Sequence, residues 1–134
     1  MDPQTKHIRG DLLYPELSYK LVGVLFDVFN ELGHGYMEKV YQKAIALRLK
    51  QAGIKFKEQL YAPVLFDGVV ISKNYFDFLI DEKIVLEIKK GDHFALAHIN
   101  QVKQYLATNS LQLGILAYFA PRTVHFKRIV NIKD

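Results

Sequence analysis

The sequence predicts an α/β fold, a mixed sheet flanked by helices. Three observations predict it. Apolar residues recur at helical spacing through the first third of the chain. The period changes to two after Gly53, and an unbroken apolar run follows Gln112. With 134 residues, half of them hydrophobic, the chain is near the commonest domain size and needs no crosslinks to bury a core.

Residues 1–15 read as a polar N-terminal arm and residues 16–134 as one domain. The first helix is predicted from Glu16 to Leu32, with Leu17, Leu21, Val24, Leu25, Val28, Phe29 and Leu32 on its apolar stripe and Gly33 and Gly35 ending it. A second runs from Met37 to Gln51, with Met37, Val40, Tyr41, Ala44, Ile45 and Leu49 inward. Ile54 to Leu60 alternates as a strand. Asp67-Gly68 is a turn, and strands are expected over Val69–Ile80 and Ile84–Lys90. Phe94 to Thr108 reads as a helix with Leu96, Ile99, Val102 and Leu106 inward. Leu113 to Phe119 has the continuous apolar character of a strand buried on both faces. Pro121 breaks it, and Thr123 to Val130 is the last strand.

Composition removes several function classes. The chain has no cysteine, which excludes disulfides and thiolate metal sites and makes a cytoplasmic location the expectation. The N-terminus lacks the apolar core of a signal peptide, and the run Leu113–Ala120 is too short to span a bilayer, so no membrane partner is expected. Any metal must be held by carboxylates, carbonyls or histidines, which favours magnesium or manganese over zinc. The net charge of +4 permits a polyanionic partner without requiring one.

The segment from Phe76 to Lys89 carries the chemistry. If Asp81-Glu82-Lys83 is the hairpin loop, paired residue numbers sum to 164. Phe76 then faces Ile88, Phe78 faces Leu86 and Ile80 faces Ile84 on one face. On the other, Leu79 meets Val85 and Asp77 meets Glu87. A one-residue slip would set apolar residues against charges, so the pattern selects this register. Opposed Cβ atoms lie about 4.5–5.5 Å apart. Two carboxylates at about 5 Å repel by roughly 3 kcal/mol at an effective dielectric near 20. A cation belongs between them. Lys89, two residues beyond Glu87 on the same face, supplies one, and a divalent metal with hard oxygen ligands would neutralise both acids. The hairpin alone does not choose between a metal site and a salt-bridge cluster of Asp77, Glu87 and Lys89.

Glu38 stands at the first turn of the second helix, where the helix dipole by itself favours a carboxylate. Gly35, Glu38 and Tyr41 spell the motif of the GxxExxY proteins, small domains of the PD-(D/E)xK nuclease superfamily, and the chain resembles that family. Asp77 followed by Glu87-Ile88-Lys89 is similar to the superfamily's D…ExK signature. Gln101-Val102-Lys103-Gln104-Tyr105 is similar to the QxxxY motif of its exonuclease-like branch. The chain departs from the family in Phe29, where a histidine is frequent, and in His34-Gly35, where a proline-glycine turn is usual.

The resemblance implies a restriction-endonuclease-like αβββαβ core and a Mg2+- or Mn2+-dependent nuclease acting on nucleic acid, DNA before RNA. It implies that Asp77, Glu87 and the Ile88 carbonyl hold metal, with Glu38 reaching in through water or to a second ion. Lys89 would orient water or stabilise charge on phosphorus, and Gln101 and Tyr105 would face the site one helical turn apart. The alternative is a catalytically silent nucleic-acid-binding or structural module of the same fold. A homodimer is left open. His98 is expected to be a solvated helix residue, although it could join the Gln101 stripe, and His93 a loop residue. Lys90, Lys103, Arg122, Lys127 and Arg128 are candidate phosphate contacts.

Overall fold

The computed structural model describes residues 13–90 and 94–132. Most of the expected arm, and His93, lie outside them. In chain order the elements are α1 (Pro15–Leu32), α2 (Glu38–Gln51), β1 (Phe56–Tyr61), β2 (Val64–Phe66), β3 (Val69–Ser72), β4 (Tyr75–Ile80), β5 (Ile84–Lys89), α3 (Leu96–Thr108), β6 (Leu113–Phe119) and β7 (Val124–Val130).

Five strands form one sheet in the order β1-β4-β5-β6-β7. Only β5 and β6 run parallel; the other neighbours are antiparallel. The parallel pair requires a crossover, and α3 supplies it. The sheet separates two apolar layers. On one face Leu21, Leu25 and Val28 of α1 and Tyr41, Ile45 and Leu49 of α2 pack on Phe78, Ile80, Ile84, Leu86 and Ile88. On the other, Val102 and Leu106 of α3 pack on Leu79, Val85 and Leu116. All of β6 is buried, as its unbroken apolar run requires. Gly114 of β6 has no side chain because Val102 lies where one would go: a Cβ there would come within 2.5 Å of Val102 Cγ1.

Several expectations are corrected. Val69–Ile80 is not one strand. Residues 73–74 interrupt it, and β3 turns back on β2, which was not foreseen, through the Asp67-Gly68 turn, where both φ angles are positive. Met37 and Val40 are exposed, at 72% and 38%, because the stripe Tyr41, Ile45, Leu49 points elsewhere. At 3.6 residues per turn, both lie about 80° or more from its centre. Leu96 is 71% exposed for the same reason: it lies about 90° round the helix from the Ile99, Val102, Leu106 stripe.

Candidate active site

The expected register is present where apolar side chains determine it: Phe78 pairs with Leu86, Leu79 with Val85 and Ile80 with Ile84. It stops before Phe76. That residue leaves the Ile88 side of the sheet and joins the opposite cluster, with its ring 5.2 Å from that of Tyr105. The cause is a local break in both ladders of β4. Gln59, opposite Asp77 in the β1 register, has φ +58, and the ladder contains Glu58–Phe78 and Leu60–Phe76 but skips the pair between them.

Side chains fill the gap between β4 and β5. The Asp77 amide donates to Glu87 Oε1 at 3.0 Å, and the Ile88 amide donates to Asp77 Oδ2 at 2.7 Å. The second oxygen of Asp77 accepts from Gln42 Nε2 of α2 at 2.7 Å. Lys89 Nζ lies 3.2 Å from Glu87 Oε2. Each carboxylate thus caps the other strand's free amide, which holds the two acids together in a buried place.

Burial dominates their chemistry. It pushes the Glu87 carboxyl up to about 8, with the charge of Asp77 adding to the effect and Lys89 opposing it. Burial raises Asp77 as well, against the hydrogen bonds from Glu87 and the Ile88 amide that lower it. One lysine leaves the pair short of positive charge.

Glu38 approaches from α2. The segment before it is held by Tyr41, whose hydroxyl donates to the Gly33 carbonyl at 2.6 Å and accepts from the Tyr36 amide at 3.3 Å. The Tyr41 ring stacks on Phe119, with centroids 4.2 Å apart. Gly35 has φ +103, a conformation that favours glycine. The glycine, glutamate and tyrosine of this motif therefore form one device: a bend, a buried anchor, and between them a carboxylate at the helix N-terminus. Glu38 Oε2 accepts from the Lys90 amide at 2.7 Å, just beyond β5, and its charge reaches Asp77.

Gln101 and Tyr105 stand on α3. Both line a cleft of about 230 Å³ with Phe76, Pro63 and Leu65, and neither hydrogen-bonds Asp77, Glu87 or Lys89 among the described residues. The Tyr105 hydroxyl is raised by burial and by the charge of Glu82, at the turn end of the hairpin. His98 differs from the solvated residue expected. It is half-buried, its Nδ1 has no hydrogen-bond partner among the described residues, and burial together with the charge of Lys89 holds its pKa down. Of the basic residues, Lys90, Lys103, Arg122 and Lys127 are exposed, whereas Arg128 donates to the Leu13 carbonyl at 3.2 Å. Gln42 was missed. The signal was available, because Gln42 stands four residues after Glu38 and so shares its side of the helix.

A family model for the PD-(D/E)XK nuclease superfamily matches residues 15–129. The chain belongs to that superfamily. Among solved structures, the crystal structure of SSO0001 aligns with a TM-score of 0.52 at 24% identity, over 72% of this chain and 50% of that one. An alkaline exonuclease, LHK-Exo from Laribacter hongkongensis, aligns with a TM-score of 0.48 at 16% identity, over 70% of this chain and 56% of its own. The chain thus spans about half the length of these solved structures. The likeness to SSO0001 shows a shared fold. No curated protein matches the sequence.

PD-(D/E)XK nucleases generally use divalent metal ions. The donors present in this member fit such an ion: two buried carboxylates, both pushed up by burial, beside a single lysine. Among the described residues no three His, Cys, Asp or Glu side chains converge to hold a metal, so an ion here would need backbone or water oxygens besides the two acids. No helix of the described chain is long and apolar enough to cross a membrane.

Proposed function

We propose that this domain hydrolyses phosphodiester bonds in nucleic acid, DNA before RNA, with Mg2+ or Mn2+ held by Asp77, Glu87 and the Ile88 carbonyl. The observation that carries the reading is the buried Asp77–Glu87 pair in the gap between β4 and β5, with Lys89 on Glu87. A divalent ion there supplies charge neutralisation and Lewis acidity toward a phosphate. Around it, Lys89 donates toward the attacking water or a phosphoryl oxygen, where negative charge grows as the bond breaks. Gln42 fixes Asp77 through its amide, and Glu38, whose charge reaches Asp77, would orient a water shared with the acids. Gln101 and Tyr105, which line the cleft on the α3 side with Phe76, the neighbour of Asp77, face the substrate there. The absence of cysteine suits action in the cytoplasm.

The test is incubation of the protein with end-labelled single- and double-stranded DNA and RNA in magnesium, manganese or EDTA. Cleavage that EDTA stops and Asp77→Asn abolishes is the expected result. Binding without cleavage under every metal condition would identify a silent binding module instead.

A further inference from the structure

Glu38 and Lys89 also line a cleft of about 310 Å³, whose aromatic side the proposed hydrolysis leaves unused. Its floor is the Tyr41–Phe119 stack, with the rings 4.2 Å apart and 3° from parallel. His34, Tyr36 and Pro121 line it as well. Tyr36 is 46% exposed and packs at 88° to the Tyr41 ring, and among the described residues it has no other ring contact. Its charged rim carries Lys89 and Lys90, with Glu38 beside them.

We infer that this cleft is a nucleobase subsite: it takes one unstacked base of a single strand against the Tyr36 ring, with the strand's phosphates toward Lys89 and Lys90. The inference rests on the proposed phosphodiester chemistry for the direction of the strand. Three features select the occupant. Tyr36, Tyr41 and Phe119 give the cleft an aromatic lining, which suits a π face, while Glu38, Lys89 and Lys90 carry its charge. The basic rim is continuous with the residue placed at the scissile phosphate, so base and phosphate positions lie one after the other along a single strand. The volume is at the small end of the range for single-ligand pockets, about 300–1,000 Å³, and suits one ring system rather than a base pair. A base reaches such a wall only when it is unpaired, which makes single strands, frayed ends and loops the substrates this cleft selects.

The test uses the full chain in EDTA, so that nothing is cut, with single-stranded oligonucleotides carrying the fluorescent base 2-aminopurine at successive positions and with matching duplexes. The wild type should quench one position strongly, and the duplex should quench less. Tyr36→Phe keeps the ring and should behave as wild type. Tyr36→Leu keeps apolar bulk without a π face; it should lose the quenching and bind single strands about 5- to 150-fold more weakly, the range for one base–aromatic stack. An oligonucleotide lacking that base should weaken wild-type binding by a similar factor, with Tyr36→Leu adding little further. If Tyr36→Leu quenches and binds like wild type while the wild type cuts DNA in magnesium, the subsite is wrong and the nuclease reading stands. If the wild type cuts nothing but still loses quenching with Tyr36→Leu, the subsite stands and the nuclease reading fails. No quenching at any position overturns the subsite in either case.

Discussion

At the scale of the residue, Lys89 separates a catalytic reading of the site from a structural one. If it acts on the attacking water and the transition state, Lys89→Ala should lower cleavage by about 10²–10³ while leaving folding and most nucleic-acid binding intact. If it serves only to balance Asp77 and Glu87, its removal strands two buried acids and should lower stability by several kcal/mol. Kinetics and thermal melts on the same variant distinguish the two. The acids themselves make a pH prediction. Both folded pKa values are raised above their unfolded ones, Glu87 to about 8. Their contribution to stability is therefore fully present below the unfolded carboxylate range and is lost as pH rises toward 8. A divalent ion binds the ionised pair, so the rise in melting temperature produced by millimolar magnesium or manganese over EDTA should grow between pH 5 and pH 8. Asp77→Asn should abolish that growth, and a rise that stays flat with pH would count against a metal at this pair.

At the scale of the element, the contact between α3 and β6 is set by a missing side chain. Gly114 admits the branched Val102 directly onto the sheet, and β-branched residues have little rotamer freedom with which to yield. Gly114→Ala should destabilise the protein by about 1–3 kcal/mol, as overpacking does, and Val102→Ala in the same chain should recover part of the loss. Denaturant midpoints of the two variants and their combination measure the coupling. The same scale explains how α2 serves the site. Tyr41 and Gly35 set where the helix begins, and its first two turns then present Glu38 and Gln42 to the ends of β4 and β5.

At the scale of the molecule, the site lies where the C-terminal end of β5 emerges between the helical layers. Crevices at the carboxyl ends of parallel strands are common ligand positions in α/β folds. Glu38 and Gln42 reach it from the α2 side, and His98 of α3 feels the charges of Lys89 and Glu38. The surface is mildly basic, and Lys90, Arg122 and Lys127 are exposed. If these residues contact the backbone, affinity for single-stranded DNA should fall with salt at a log–log slope of about −0.7 per phosphate neutralised. Triple substitution by alanine should flatten the slope. A slope already near zero in the wild type would remove phosphate contact from the account.

Local pattern determined most of the architecture, because burial on a helix or strand imprints a period on the sequence. The stripes of α1 and α3, the apolar run of β6 and the Phe78–Leu86 register all follow from that rule. The acids at Asp77 and Glu87 were legible for the same reason, as charges interrupting an apolar hairpin. What the period does not encode is where a ladder breaks. The left-handed Gln59, the crossing of Phe76 to the other face and the return of β3 onto β2 depend on contacts between segments distant in sequence. The tertiary structure alone decided that the two carboxylates cap each other's strand amides, that Gln42 holds one of them, and that Gln101 and Tyr105 stand in a neighbouring cleft. Side-chain hydrogen bonds of this kind form only after strand and helix have docked, and they leave no periodic trace in the chain.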